Sequence, residues 1–357
     1  MSSRYRINVA RWSVGLLILA ASSALGAPMA HAKLYVVASN PTFANIAEYV
    51  GGNLLKVDYI TKEDEDPHFV RPKPSFAVML SKADALVVTG LDLELWAPSL
   101  IDKSMNAKIR EGQVGYIAVH DGIRLLEIPR SGSRASGGVH LFGNPHIYNG
   151  PMNAKIIATN IAIGLCKVSQ ANCEAFKAGA QRFHNMIDQR MFGPKLLKLF
   201  GSATLTRLTE AGKLIPFLRD RNYRGEPLVN MLGGWGKKAA PLWGLKLVTY
   251  HKNWIYFTRS FGLDVIQEVE PKPSIPPSPQ SVRRLINTMS KETIKVILAA
   301  NFYDESKVRM ICQRVSAQPA IVAFSVHGKP GINNYFQLMD HWLNVLLEAY
   351  RRTGAIK

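Results

Sequence analysis

An α/β protein of two lobes, each a parallel β-sheet covered by helices, is what this 357-residue sequence predicts. Three observations carry the expectation. Apolar strand-like runs alternate with helix-period segments, the alternation lapses once near the middle, and it then resumes towards the C-terminus. An apolar fraction of 47% is enough to fill two cores.

The N-terminal stretch stands apart from that pattern. Arg4, Arg6 and Arg11 precede an apolar run from Val14 to Leu25 and the small-residue pattern Ala30-His31-Ala32. This order predicts a secretory signal peptide over 1–32, whose cleavage leaves the mature chain in the periplasm. The run is too short for a good membrane span, and no later segment is long and uncharged enough. No cysteine follows the signal, so a lipid anchor is not expected.

Removing 1–32, which holds three arginines and no acid, lowers the formal net charge from +18 to +15. The basic residues are scattered, without a basic arm or an aromatic ladder, so nucleic acid is not expected as a partner. The excess suits attraction to an anionic membrane face or an acidic partner, or a solvated surface with no role. Of three cysteines, Cys166 and Cys173 are placed to close a short loop between two helices in an oxidising compartment, with free buried thiols as the alternative. Cys312 is left as a buried thiol.

Leu34–Ser39 reads as a buried strand. Thr42 is the expected cap of a helix carrying Phe43, Ile46, Ala47 and Val50 on one face, stopped by Gly51-Gly52. Strand 57–61, helix 75–83, strand 85–89, helix 95–102 and strand 114–119 follow. A loop rich in Gly, Ser and Arg covers 121–150. Pro151 then opens an apolar helix, and a second long helix spans about 174–191. Two helices in succession mark the lobe boundary: an N-terminal, metal-binding lobe 33–173, a linker helix 174–195, and a C-terminal lobe 196–357 with a helical insertion at about 196–241. Alternation resumes with strand 245–250, helix 253–261, strand 264–268, a stiff proline-rich loop 271–279, helix 281–289, strand 295–299, helix 305–315 and strand 320–326. The last helix aligns Tyr335, Leu338, Met339, Trp342, Leu343 and Leu346 on one apolar face.

Three of the nine histidines, His68, His146 and His251, fall a few residues beyond predicted strand ends, where open α/β sheets hold their ligands. Asp66-Pro67-His68 and Asn144-Pro145-His146 share a design in which proline stiffens the backbone before the imidazole. The preceding Asp or Asn is suited to steady the turn. Three imidazole nitrogens lean towards zinc over manganese. Zinc takes four ligands, and the candidates for the fourth are His327, a carboxylate between Glu63 and Asp66, or water. His140 lies close enough to His146 for a supporting place around it. Metal affinity is expected to fall as pH drops through the histidine range near 6.5.

At these residues the chain resembles the metal-specific solute-binding proteins of zinc and manganese ABC importers. The resemblance rests on Asp66-Pro67-His68 with Arg71-Pro72-Lys73-Pro74-Ser75, on 83–91 leading to Leu93-Glu94-Leu95-Trp96, and on Gly143-Asn144-Pro145-His146. Val248-Thr249-Tyr250-His251 with Trp254, Tyr256-Phe257 and Phe261-Gly262-Leu263 completes it, and Pro276-Pro277-Ser278-Pro279 fits too. It implies two four-stranded parallel sheets joined by one long rigid helix, small lobe shifts on capture, and a metal held by His68 and His146 from one lobe and His251 from the other. The cargo implied is zinc, with manganese or another divalent transition metal second. The partners implied are a membrane permease and a periplasmic metallochaperone, with the protein itself a monomer. The departure is the missing acid after the last strand, where Phe324-Ser325-Val326-His327-Gly328 leaves His327, water or Asp66 for the fourth position. The rival reading is a periplasmic zinc-dependent hydrolase using three histidines and a bound water, although no pair of helix-borne histidines with an adjacent glutamate occurs.

Overall fold

The computed structural model describes residues 32–129, 140–270 and 276–357. The expected signal peptide and part of the proline-rich loop lie outside the described residues. Lys33–Lys357 forms one compact body.

Two parallel sheets organise it. The first contains β1 (Leu34–Ala38), β2 (Leu55–Tyr59), β3 (Ala85–Val88) and β4 (Tyr116–Ala118) in the order β2-β1-β3-β4. Ten strands run in chain order among the described residues, and β5 (Asn222–Tyr223) and β6 (Glu226–Pro227) form only a small hairpin. The second sheet contains β7 (Lys246–Thr249), β8 (Asp264–Glu268), β9 (Val296–Ala300) and β10 (Gln318–Val322) in the order β10-β9-β7-β8. Both sheets therefore share one topology, with the order reversing beside their first strand. Such a reversal opens a crevice beyond the carboxyl ends of the strands.

Period-two alternation explains how each sheet buries both faces. Val36 and Ala38 enter the central core, while Val37 between them joins Leu86, Leu100 and Ile101 on the outer face. In the second sheet Leu298 faces the centre, and Ile297 packs outward with Leu285 and Val308. The central cluster is continuous from one sheet to the other, through Phe176, Phe183 and Ile187 to Trp342. Each fully buried Leu, Ile or Phe in it contributes roughly 1.5–3 kcal/mol.

The helices are α1 (Pro41–Gly51), α2 (Pro74–Ser81), α3 (Ala97–Ser104), α4 (Pro151–Val168), α5 (Cys173–Glu210), α6 (Leu214–Arg219), α7 (Gly234–Ala239), α8 (Ile255–Ser260), α9 (Pro279–Lys291), α10 (Glu305–Arg314) and α11 (Tyr335–Arg352). Asn40, not Thr42, caps α1: its side chain accepts from the Phe43 amide at 3.0 Å, and Pro41 occupies the first turn. Helix α3 starts two residues later than expected, because Pro98 fixes its first turn. Asn334 caps α11. None of the helices among the described residues is long and apolar enough to cross a membrane.

Helix α5 is straight only to Phe192. Gly193 and Gly201 have non-helical backbone, with φ of 75° and 72°, and Pro194 follows the first break. At Gly193 a Cβ would meet the Gly233 Cα at 2.7 Å, so the turn requires a glycine on both counts. A disulfide joins Cys166 at the end of α4 to Cys173 at the start of α5. Cys312 is a buried thiol, and burial pushes its pKa up to about 12.

Candidate metal centre

Four imidazole rings gather beyond the strand ends: His68 after β2, His140 and His146 after β4, and His251 two residues past β7. Ring centroids stand 5.0 Å apart for His68 and His146, 5.1 Å for His68 and His140, and 5.8 Å for His140 and His146. His251 is 6.3 Å from both His68 and His146. His146 is fully buried and His251 is 2% exposed.

The three expected ligands are oriented in one way. Asp66 Oδ1 accepts from the His68 backbone amide at 3.0 Å and lies 2.6 Å from His68 Nδ1. Asn144 Oδ1 repeats both contacts on His146, at 3.0 and 2.9 Å. His251 Nδ1 lies 2.7 Å from the Glu270 carbonyl. An acceptor on Nδ1 fixes the tautomer and leaves Nε2 to carry the lone pair. The Asp-Pro-His and Asn-Pro-His segments thus work as two copies of one device. Asp66 is an orienting group, turned towards His68 Nδ1.

The loops are held from behind. Trp96 Nε1 donates to the Pro67 carbonyl at 2.8 Å, steadying the His68 turn. Glu94 Oε1 accepts from Ser39 Oγ and from the Thr89 amide and hydroxyl at 2.7–3.0 Å, tying the ends of β1 and β3. Asn144 Nδ2 reaches the Lys252 carbonyl at 2.5 Å, and the Tyr256 hydroxyl donates to the Asn144 carbonyl at 2.8 Å, so the His146 loop is fastened to the second lobe. Trp254 is fully buried against Phe324 and Trp342 and belongs to the core.

The fourth ring is His140, and His327 is not at the cluster. His68 Nε2 and His140 Nε2 lie 3.2 Å apart. His327 is exposed, with φ of 66°, and its amide donates to the Ile332 carbonyl at 2.7 Å. That left-handed turn directs the chain away, and the residue after β10 that reaches the histidines is Phe324, whose ring is 6.2 Å from His146. The sequence held a signal for His140 in its spacing of six residues from His146, with Gly143 between them. At φ of 110° Gly143 lets the loop double back, and a Cβ there would press on Leu125 at 3.0 Å.

Burial pushes His140 down to about 3 and His251 down to about 4, and neighbouring rings add to both shifts. Burial also drives His146 well below 6.5. These rings are neutral at neutral pH, the state that ligates a cation. Burial would raise Asp66, but its hydrogen bond to His68 and the neighbouring ring outweigh it, so its pKa is lowered.

As the side chains stand, no group of three or more His, Cys, Asp or Glu among the described residues is arranged to coordinate an ion. The distances say what is short. Imidazole nitrogens about 2.0–2.1 Å from a tetrahedral zinc would stand about 3.3 Å from one another, with ring centroids about 5.2 Å apart. His68, His140 and His146 are close to those spacings; His251 is about 1 Å too far. His146 Nε2 also faces Asn253 Nδ2 at 3.4 Å, while His251 Nε2 is buried without a hydrogen bond. The site is gathered but open on the side of the second lobe.

A family model described as zinc-uptake complex component A, periplasmic (ZnuA), matches residues 36–190 and 236–349. The chain belongs to this family. It is 21% identical over 325 residues to the manganese ABC transporter substrate-binding lipoprotein PsaA of Streptococcus pneumoniae serotype 4, covering 89% of each chain. It is 25% identical over 175 residues to the iron ABC transporter substrate-binding lipoprotein MtsA of Streptococcus pyogenes serotype M1, covering 48% of this chain and 53% of that one. A crystal structure of a ZnuA deletion mutant with zinc bound has a TM-score of 0.62 at 21% identity, covering 91% of this chain and 99% of that one. This last likeness shows the fold. Within the ZnuA frame, residues 191–235 lie between the two matched segments.

Proposed function

We propose that the chain captures zinc with His68, His140, His146 and His251 on the extracytoplasmic side and delivers it to the permease of an ABC importer. Family membership makes it a substrate-binding component of metal uptake; the choice of metal and ligands is our own reading. One observation carries it: four imidazoles gather, and Asp66, the carboxylate whose charge His140 and His251 both feel, is committed to His68 Nδ1. A donor set of nitrogen alone suits zinc, copper or nickel, whereas manganese asks for more oxygen. The relatives named for manganese and iron therefore do not carry their metals over to this donor set.

The same observation weighs against a hydrolase. A catalytic zinc keeps one position for water. In this reading His140 supplies a fourth ring and leaves no position for that water, and burial keeps His140, His146 and His251 neutral. Release to a permease asks only that His251 withdraw, since it comes from the other lobe and stands furthest out.

Metal analysis of protein purified without chelator tests the proposal. About one zinc per chain is expected, with a zinc-induced rise in melting temperature larger than that given by manganese. Preference for manganese in direct competition overturns the zinc reading. Turnover of ester or amide substrates that requires the histidines would revive the hydrolase.

A further inference from the structure

We propose that the segment 191–235, which lies between the family-matched parts of the chain, is a docking surface for anionic lipid headgroups. The segment holds seven lysines and arginines against three acids. All seven basic residues are exposed. Among the described residues, their one ion pair is the loose Lys195–Glu226 contact at 4.0 Å.

The segment is built as a platform. Phe200 of α5 packs edge-on against Phe217 of α6 at 5.3 Å. Arg221 lies over the Phe217 ring at 4.5 Å and Arg224 over Tyr223 at 5.3 Å, so their guanidinium groups are presented on fixed stems. Lys195, Lys198 and Arg224, with the single acid Glu226, rim an open cavity of about 480 Å³, and Leu199, Tyr223 and Met231 form its apolar part. Tyr223 sits in the β5–β6 hairpin and is 38% exposed.

Cations around a small apolar floor, beside an exposed tyrosine, match the boundary between phosphate headgroups and acyl chains. An acidic protein surface would need its own shaped partner for that floor; a lipid surface supplies both the charge and the apolar contact. The attraction is local, because charges beyond about 8 Å are screened at physiological salt. The inference does not depend on which metal the histidines bind.

Co-sedimentation of the mature chain with vesicles tests it, comparing phosphatidylglycerol mixed into phosphatidylcholine with phosphatidylcholine alone. Partition onto the anionic vesicles only is expected, weakening as salt is raised. Each basic residue near an anionic surface is worth roughly a factor of five. The triple variant Lys195→Gln/Lys198→Gln/Arg224→Gln should therefore lose about 100-fold in partition, with its zinc-induced thermal shift unchanged. A control triple on other faces, Lys82→Gln/Lys103→Gln/Lys291→Gln, should lose far less. Equal loss in both triples reduces the effect to net charge and overturns the site. No partition of the parent onto anionic vesicles also overturns it, and turns the search to an acidic protein partner.

Discussion

His68 Nε2 and His140 Nε2 are 3.2 Å apart, nearly the separation that two imidazole nitrogens adopt on one tetrahedral zinc. The two rings come from different loops, after β2 and after β4. Under the proposed four-nitrogen reading, this pair already stands at its working distance. Zinc in a structural four-ligand site is worth roughly 10–16 kcal/mol, or about 2.5–4 kcal/mol per ligand. His140→Ala should therefore weaken zinc binding by about 100–1000-fold, measured by competition with a chromophoric chelator. An affinity within about three-fold of the parent would return the fourth position to water.

Asp66 and Asn144 occupy the same place on their histidines but carry different charge. Asp66 meets His68 Nδ1 with a carboxylate oxygen at 2.6 Å, and Asn144 meets His146 Nδ1 with an uncharged amide oxygen at 2.9 Å. Asp66→Ala and Asn144→Ala should each lower zinc affinity about 10–100-fold. Asp66→Asn should keep most of the orientation and lose less. The same titration checks all three, and equal losses for Asp66→Ala and Asp66→Asn would assign the effect to charge alone.

The strand and helix order was legible because the inner strands of both sheets, such as β1, β3 and β9, read as apolar runs, and three histidines were legible because position after a strand end is a topological fact. Side-chain direction was not. His327 follows β10 as expected, yet its left-handed turn, φ 66°, faces it outward and leaves Phe324 at the cluster. The sequence supports only a secondary place for His140, because the path of a loop rich in Gly, Ser and Arg depends on remote ties. Examples are Asn144 N to the Leu126 carbonyl at 2.8 Å, and Asn144 Nδ2 to Lys252 across the lobes. His327→Ala should leave zinc affinity unchanged within about two-fold, the opposite of the result at His140, and the paired measurement separates the two positions.

The buried rings set the acid behaviour of the metal-free protein. In the unfolded chain a histidine titrates near 6.5. Burial holds His251 at about 4 and His140 at about 3 in the folded chain. Between those values and 6.5 the unfolded state binds more protons. Stability is thus intact above 6.5 and is lost progressively as pH falls towards 4. Urea midpoints of metal-free protein should fall between about pH 7 and about pH 5, and less steeply in His251→Phe. For these rings proton competition with zinc begins below the range near 6.5 that an exposed histidine would give. A midpoint independent of pH across that interval would contradict the burial of neutral imidazoles.

Lys155 and Asp188 form the buried ion pair that joins α4 to α5, with Nζ 2.7 Å from Asp188 Oδ1 and side chains 10% and 7% exposed. Lys155 Nζ also donates to Ser202 Oγ at 3.0 Å and Thr206 Oγ1 at 3.1 Å, so one ammonium spans both glycine breaks of α5. Removing the cation alone strands a buried carboxylate, and Lys155→Met should cost about 3–5 kcal/mol in urea unfolding. Replacing both partners, Lys155→Met with Asp188→Leu, removes the uncompensated charge and should recover most of that loss. Zinc affinity gives the second readout. Helix α4 starts at Pro151, five residues after His146, so if the pair also sets the position of that loop, the double variant will regain stability but not affinity. Recovery of both would confine the pair to holding α4 and α5 together.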